Sequence, residues 1–167
     1  MIYLSFGSNL ESVHGSSIFV IKKSYSELSK HGVKIIKKSS FYKSKAYPNP
    51  KDPEFTNSVA LVSTHANPKK LLKIILTIEK KFGRKRLKKN DPRTLDIDII
   101  DYYSRNIEFS DDGTNLKLPH VGMESRLFVL MPLSEINSAW KNPRSGKHIS
   151  QLIAKISKFK DNKITKL

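Results

Sequence analysis

The chain has 167 residues, of which 38% are hydrophobic and none is cysteine, and its 31 Lys and Arg against 15 Asp and Glu give a formal net charge of +16. This length and apolar content predict a single folded domain over 1–167 and argue against a disordered chain. The lack of cysteine excludes disulfides, Cys-ligated metals and cysteine nucleophiles. Because the sequence shows neither a signal-peptide pattern nor an apolar run of membrane-spanning length, we expect a cytoplasmic protein.

The basic charge is concentrated in two segments of the chain. Residues 69–93 hold 11 basic and 2 acidic residues, and residues 141–167 hold 8 basic and 1 acidic. Most of this excess is lysine, which often serves only to solubilise a surface. A nucleic acid, an anionic membrane or a polyphosphate would each complement such segments, so the charge alone does not choose between these partners.

Strands and helices alternate in the first half of the chain. The predicted elements are a strand over 1–6, a helix over 16–30, a strand over 33–42, a loop over 44–53, a strand over 55–64 and a helix over 68–82. The helix over 68–82 begins with Asn67-Pro68, a good N-cap followed by proline at the first helical position, and Gly83 closes it.

The second half continues with a basic loop, a further strand and an extension. The predicted elements are a loop over 84–95, a strand over 96–103, a turn at Asp112-Gly113, a proline-bounded helix near 123–130 and a helix near 149–156. The whole order, β-α-β-β-α-β followed by a C-terminal hairpin and helices, predicts an α+β protein. We expect the ferredoxin-like βαββαβ arrangement, an antiparallel sheet with helices packed on it.

Two carboxylates on the strand over 96–103 carry the most chemical information. Asp96 and Asp98 alternate with Ile97, so their side chains lie on one face about 7 Å apart. Such a pair suits Mg²⁺, although a solvated strand face is the alternative for an Asp-x-Asp pattern alone. Arg84, Arg86 and Arg93 precede the pair, and acids for a metal beside bases for phosphate indicate a nucleoside triphosphate site. No Walker A or protein-kinase signature is present.

With these residues the sequence resembles the 6-hydroxymethyl-7,8-dihydropterin pyrophosphokinase family of folate biosynthesis, over almost the whole chain. The shared motifs are G-S-N-L at 7–10, S-S-F-Y-K-S at 39–44, F-x-N at 55–57, I-E-x-x-x-G-R-x-R at 78–86, P-R-T-L-D-I-D-I at 92–99, L-P-H at 118–120, R-x-F at 126–128 and P-L-x-E-I at 132–136. The ordered P-R-T-L-D-x-D block with its neighbours is the specific part, whereas G-S-N-L alone would be weak.

The resemblance implies transfer of the terminal pyrophosphoryl group of ATP to the hydroxymethyl group of the reduced pterin, with release of AMP. It implies two Mg²⁺ ions held by Asp96 and Asp98, with ATP as co-substrate and no protein nucleophile. The implied catalytic residues are Arg84, Arg86, Arg93, Asp96 and Asp98. The implied ATP-binding residues are Leu72, Glu79, Arg84, Arg86, Arg93, Ile99, His120 and Arg126. Without the motifs, Glu79 would be read as a helix-surface acid and His120 as a structural histidine.

For the pterin, the resemblance implies a second set of residues. These are Gly7, Ser44, Lys45, Tyr47, Phe55, Asn57, Asp96 and Phe128. A flat heterocycle with a guanidine-like edge needs aromatic faces, for which Phe55 and Phe128 match, and an amide to read the edge, for which Asn57 matches. Backbone groups of residues 44–47 are expected to add hydrogen bonds, and each phenylalanine taken alone would be a core residue.

Some positions depart from the family pattern, and two other functions stay open. The loop over 87–91 is short and lacks the family's Arg-Trp segment, with Lys89 as the nearest substitute, and the remaining departures are Lys45, Phe55, Asn115 and Val121.

A basic RNA-binding ferredoxin-like module would also fit the charge, but the base-stacking aromatic run of such sheets is missing. An impaired interaction protein is the third possibility. We expect a monomer that binds ATP and the reduced pterin, and neither nucleic acid nor a membrane.

Overall fold

The computed structural model describes residues 1–47, 49–84, 91–111, 114–158 and 163–167. Its strands are β1 (Ile2–Ser8), β2 (Lys34–Lys38), β3 (Tyr42–Ser44), β4 (Phe55–Ser63), β5 (Asp96–Tyr102), β6 (Ile107–Asp111), β7 (Thr114–Leu118) and β8 (Ile164–Lys166). Its helices are α1 (Ser17–Lys30), α2 (Pro68–Lys81), α3 (Leu127–Ile136) and α4 (Ile149–Ile156), and a short 3₁₀ turn spans Met123–Ser125. No helix in these ranges is long and apolar enough to cross a membrane.

The central sheet has the strand order β5-β1-β4-β3-β8, and β2 pairs with the other end of β4. Every pair in it is antiparallel, and β6 and β7 form a separate antiparallel hairpin. This arrangement agrees with the predicted mixed α/β architecture of an antiparallel sheet with helices on it. The central position of β1 explains its almost complete burial, since neighbours cover both of its edges and helices cover its faces.

Side chains of the sheet alternate between two hydrophobic clusters. Leu4 and Phe6 of β1 lie on the face covered by α1 and α2, and Tyr3 lies on the face covered by α3 and α4. Because neighbouring residues of a strand point to opposite faces, Asp96 and Asp98 lie on the side opposite Ile97 and Ile99, which belong to the α1–α2 cluster. The two carboxylates are therefore on the face where α3 packs.

Two element predictions differ from the structure. The helix predicted near 123–130 is present with different bounds: residues 123–125 form the 3₁₀ turn, Arg126 is extended, and α3 runs from Leu127 through Pro132 to Ile136. Proline removes one helical hydrogen bond, and the burial of this helix against β4 offsets that loss. The strand predicted over 33–42 is two strands. Between them the Ser39 hydroxyl oxygen accepts from the Val59 N–H of β4, and the Ser40 hydroxyl donates to Glu135 of α3.

The C-terminal segment also contains a strand that we did not predict. β8 pairs with β3, so that β3 has a neighbour on both sides. The turn predicted at Asp112-Gly113 lies outside the described residues, but the strands on either side of it pair as a hairpin. The extension is thus a hairpin, helices and one short edge strand.

Candidate active site

Three neighbouring strands bring predicted pterin and metal residues into one row. Gly7 of β1 lies opposite Asp96 of β5 and opposite Asn57 of β4. A Cβ atom at Gly7 would lie 3.6 Å from Asn57 Oδ1, 3.6 Å from Phe55 Cδ1 and 3.8 Å from Asp96 Cβ. The glycine therefore leaves open the space that these three side chains surround.

Asn57 is held in a fixed orientation by its neighbours. It is only 3% exposed, and its Nδ2 donates to Ser44 Oγ at 2.9 Å. The backbone oxygens of Tyr42 and Phe55 each lie 3.4 Å from the same nitrogen. The amide oxygen consequently faces the space above Gly7, where it can accept a hydrogen bond from a ligand.

Asp96 is paired with two arginines. Arg84 Nη1 donates to Asp96 Oδ1, and Arg93 Nε lies 3.0 Å from Asp96 Oδ2. Arg84 donates from the same nitrogen to Glu79 Oε1. Burial works against the charge of Arg84, but the carboxylates of Asp96 and Glu79 outweigh it and raise the pKa of the guanidinium.

Asp98 is less closely paired than Asp96. Arg126 Nη1 lies 3.9 Å from Asp98 Oδ2, at the limit of an ion pair. Burial and the neighbouring negative charge of Asp96 raise the pKa of Asp98, and the positive charges around it only partly compensate. A further cation at this position would therefore relieve an unfavourable arrangement of charge.

Each of two arginines also lies over an aromatic ring. The Arg93 guanidinium carbon is 5.3 Å from the centroid of Phe55, and that of Arg126 is 5.8 Å from the centroid of Phe128. The two predicted stacking residues are thus each in contact with an arginine that pairs with one of the aspartates. This arrangement joins the predicted pterin residues to the predicted phosphate residues.

Glu79 is not the helix-surface acid that its position in α2 would suggest. The residue is 2% exposed, and its Oε1 accepts a hydrogen bond from the backbone N–H of Ile97 at 2.8 Å as well as from Arg84. The side chain therefore fastens α2 to β5 and orients Arg84. Through Arg84 this carboxylate can influence the binding of a polyphosphate.

A pocket of about 530 Å³ opens beside the aspartates. Leu72, Ile99 and His120, three of the predicted ATP-binding residues, line it together with Asp98. Hairpin residues of β6 and β7 form another wall, with Asn115 and Val121 among the lining residues. The mostly apolar pocket suits a nucleobase and ribose, with their phosphates directed towards Asp98.

His120 and Arg126 meet at Gly122. The Nδ1 atom of His120 accepts from the backbone N–H of Gly122 at 3.1 Å, which assigns the ring proton to Nε2. Burial lowers the pKa of His120. A Cβ atom at Gly122 would lie 3.2 Å from Arg126 Cζ and 3.3 Å from His120 Cε1. The lack of a side chain at Gly122 therefore leaves room for both of these side chains beside its backbone.

Several predicted residues lie apart from this group or outside the described ranges. Tyr47 is 80% exposed, and Lys45 is exposed, whereas Ser44 is buried beside Asn57. Arg86 and Lys89 lie outside the described residues, as does most of the loop over 87–91.

Asn9 is a buried residue of the site that the sequence analysis included only as part of the G-S-N-L motif and did not predict as a site residue. Asn9 donates from Nδ2 to the Pro53 oxygen at 3.0 Å and accepts on Oδ1 from the Arg93 N–H at 2.7 Å. The G-S-N-L motif contained this signal, but a short polar run after a strand reads equally well as a turn.

The donor set around Asp96 and Asp98 fits magnesium better than a soft or four-coordinate metal. Among the described residues no group of three or more His, Cys, Asp or Glu side chains could hold a metal ion. Two aspartates offer only hard oxygen ligands, and Mg²⁺ is bound in proteins by one or two carboxylates together with water and substrate phosphates. The site accordingly suits a metal that arrives with a polyphosphate.

Comparison with known proteins identifies one family. The model of the 7,8-dihydro-6-hydroxymethylpterin-pyrophosphokinase (HPPK) family matches residues 3–138. A relative from Synechocystis named 2-amino-4-hydroxy-6-hydroxymethyldihydropteridine pyrophosphokinase is 43% identical over 125 residues, which are 75% of this chain and 62% of the relative. A relative of the same name from Haemophilus influenzae is 37% identical over 170 positions, covering 99% of this chain and 96% of its own length.

Solved structures with a similar fold come from longer chains. A crystal structure of HPPK-DHPS in complex with substrates matches with a TM-score of 0.71 and 14% identity, covering 99% of this chain and 48% of that chain. A Plasmodium falciparum HPPK-DHPS triple mutant matches with a TM-score of 0.70 and 16% identity, covering 92% and 44%. At such identities the likeness concerns the fold. The chain spans about half of these structures and slightly less than two thirds of the Synechocystis relative.

Proposed function

Because the chain belongs to the 7,8-dihydro-6-hydroxymethylpterin-pyrophosphokinase family, we propose that it transfers the terminal pyrophosphoryl group of ATP to the hydroxymethyl group of the reduced pterin, as a step of folate biosynthesis. The products are the pterin diphosphate and AMP. The observation that carries the proposal is the row of Asp96, Gly7 and Asn57, with the nucleotide-sized pocket at one end and the pterin residues at the other.

The two substrates take opposite ends of this row. The base and ribose of ATP occupy the pocket lined by Leu72, Ile99 and His120, and the phosphates extend over Asp98 and Asp96. The pterin lies above Gly7, with its ring against Phe55 and Phe128 and its polar edge at Asn57. This order supports direct transfer, since it brings the hydroxymethyl group towards the phosphate chain.

The reaction is an in-line displacement at the β-phosphorus. The hydroxymethyl oxygen forms the new bond to this phosphorus, the bond to the oxygen bridging the α- and β-phosphates breaks, and AMP leaves while the hydroxyl proton passes to solvent. Charge develops on the bridging and non-bridging oxygens, so positioning and charge neutralisation are the main contributions of the protein. When bound, Mg²⁺, two ions in this proposal, supplies positive charge at these oxygens and is held by Asp96 and Asp98.

The arginines change partners during substrate binding. Arg84 and Arg93 pair with Asp96 in the free protein, and Arg126 lies near Asp98. Phosphate oxygens offer these guanidinium groups bidentate partners, which leaves the carboxylates to the metal. His120 contributes its Nε2–H to the phosphates, and Arg86 is proposed as a further phosphate ligand from the family motif.

The fold supports a finer assignment as well. The order β5-β1-β4-β2 is the one expected of the ferredoxin-like βαββαβ arrangement, with β3 and β8 extending the sheet. We include in the proposal a single domain over 1–167 that works as a cytoplasmic monomer. The relatives are named as pyrophosphokinases or as folic acid synthesis proteins, so the RNA-binding alternative is unsupported.

The nucleotide product tests this function. The protein is incubated with ATP, Mg²⁺ and 6-hydroxymethyl-7,8-dihydropterin, and the nucleotides are separated by chromatography. AMP formed only in the presence of the pterin is the expected result. Formation of ADP, or AMP release that does not need the pterin, would reject the proposal.

A further inference from the structure

Asn9 connects the two substrate ends of the site through its side chain. The residue follows β1 directly and is 5% exposed. Its backbone N–H donates to the Arg93 oxygen at 3.1 Å, and its Oδ1 accepts from the Arg93 N–H at 2.7 Å. Its Nδ2 donates to the Pro53 oxygen at 3.0 Å. The single asparagine thus holds the backbones of two segments that are 40 positions apart in sequence.

Both segments lead directly to residues of the site. Arg93 pairs with Asp96, and Pro53 lies two residues before Phe55, on the pterin side. The guanidinium of Arg93 in turn lies over the Phe55 ring, at 5.3 Å from its centroid. Asn9 thus holds the backbones at Arg93 and Pro53, and the contact between the Arg93 and Phe55 side chains joins the same two segments.

We propose that Asn9 is a positioning residue that sets the phosphate-binding Arg93 and the pterin-stacking Phe55 relative to each other, an inference that rests on the proposed function. Its two side-chain atoms have separate tasks. The amide oxygen serves the phosphate side through Arg93, and the amide nitrogen serves the pterin side through Pro53. An asparagine meets both needs, since its side chain carries an acceptor and a donor on one carbon.

Two substitutions separate these tasks. Asn9→Asp retains an acceptor for the Arg93 N–H but places a carboxylate oxygen against the Pro53 oxygen, where both atoms are acceptors. Asn9→Ala removes both contacts and leaves the part-buried Arg93 N–H without this acceptor. Asn142 is the matched control, because it is 4% exposed and likewise bridges segments, with Nδ2 donating to Glu124 and Oδ1 accepting from Arg144.

The experiment measures dissociation constants by calorimetry, with α,β-methylene ATP and magnesium for the nucleotide site and with 6-hydroxymethylpterin added to that complex. We expect Asn9→Asp to weaken pterin binding about tenfold and nucleotide binding by less than about twofold, the effect of one lost hydrogen bond. We expect Asn9→Ala to weaken both. Amide exchange of Arg93, followed by NMR, should be faster in Asn9→Ala and unchanged in Asn9→Asp.

The outcomes separate this inference from the proposed function. Equal weakening of both ligands in Asn9→Asp, or wild-type affinities in both variants, would overturn the positioning role. Asn142→Ala and Asn142→Asp should lower stability without separating the two affinities. If Asn9→Ala does not fold, Asn9→Asp alone decides. If the wild-type protein binds both ligands but releases no AMP, the proposed function fails while the role of Asn9 is still measured; if it binds neither, both fail.

Discussion

The Nε atom of Arg93 lies 3.0 Å from Oδ2 of Asp96, so a proposed phosphate ligand and a proposed metal ligand neutralise each other in the free protein. Arg84 adds a second positive charge at the other oxygen of the same carboxylate. A bare metal ion would have to displace these arginines, whereas a metal with its polyphosphate offers them new partners. The proposed site is therefore expected to bind nucleotide and metal together.

Replacement of either aspartate should remove activity and leave the fold intact. Asp96→Asn and Asp98→Asn should each lower kcat at least about a thousandfold, because the site would hold less well the Mg²⁺ that is proposed to neutralise charge at the transferred phosphates. Asp98→Asn should not reduce the free energy of unfolding at pH 7, since the raised pKa of Asp98 means that the folded protein disfavours its charged form. Steady-state kinetics and urea unfolding measure the two effects.

Glu27→Gln is the control for this pair. Glu27 also pairs with two cations, Lys30 and Lys81, but it lies on α1, away from the site. The variant should keep wild-type kcat. Retained turnover in both aspartate variants would contradict their proposed role.

Removal of the Glu79 charge should affect both stability and ATP. Glu79→Gln breaks a buried pair with Arg84, and we expect the free energy of unfolding to fall by about 3 kcal/mol. The KM for ATP should rise several-fold because Arg84 loses its orientation. In Glu54→Gln, which breaks the half-exposed pair with Lys43, stability should change by less than about 1 kcal/mol. An unaltered KM in Glu79→Gln would show that Arg84 does not depend on this carboxylate.

Gly122→Ala should damage the site while the fold stays stable. The added Cβ would press on the ends of the Arg126 and His120 side chains, and the backbone at Gly122, with φ of −86°, accepts any residue. We expect a higher KM for ATP with little change in unfolding. Gly32→Ala is the opposite case. At its φ of +75° an alanine should lower the free energy of unfolding by about 1 kcal/mol, but the added Cβ would have no neighbour within 4 Å and should leave the kinetics unchanged. A wild-type KM in Gly122→Ala would argue against phosphate contacts from this pair.

Stability at low pH should depend on Glu135 of α3. Burial favours a higher pKa for this carboxyl group, but hydrogen bonds from Tyr42 and Ser40 outweigh it and hold the pKa below 4.5. A carboxylate with a lowered folded pKa stabilises the protein above its unfolded pKa, and the contribution disappears as the pH falls through the folded value. Glu135→Gln should thus lower the free energy of unfolding by about 2 kcal/mol at pH 7.

The pH dependence distinguishes this effect from a packing defect. The difference between wild-type protein and Glu135→Gln should be fully present above pH 4.5 and shrink as Glu135 becomes protonated below it. Urea unfolding at a series of pH values measures it. A difference that stays constant down to pH 2 would mean that the charge of Glu135 is not involved.

Sequence signals such as caps and apolar periodicity predicted the elements that neighbouring residues in the chain determine. The cap at Asn67 is an example, since its Oδ1 accepts from the Lys70 N–H and α2 begins at the next residue. The end of α3 was misplaced because the burial of Pro132 and its neighbours against β4 is a tertiary effect. β8 was missed because three residues of pairing to a distant strand leave no periodicity in the sequence.

The candidate site could be predicted in outline from motifs but not in its internal contacts. Asp96 and Asn57 lie opposite Gly7 from the two strands that flank β1, and Asp98 lies two residues further along β5, as alternation and strand order imply. The burial of Glu79 depends on how α2 packs on β5, and the role of Asn9 depends on loops that meet only in the folded chain. Such contacts between distant segments carry no local signal.

The most direct test of the proposed reaction follows where each phosphorus atom of ATP goes. ³¹P NMR of ATP incubated with the protein, Mg²⁺ and 6-hydroxymethyl-7,8-dihydropterin should show the β- and γ-phosphorus signals moving together into a pterin diphosphate, with an equal amount of AMP. Asp96→Asn serves as the inactive control. A pterin monophosphate accompanied by ADP, or free pyrophosphate without a phosphorylated pterin, would contradict pyrophosphoryl transfer.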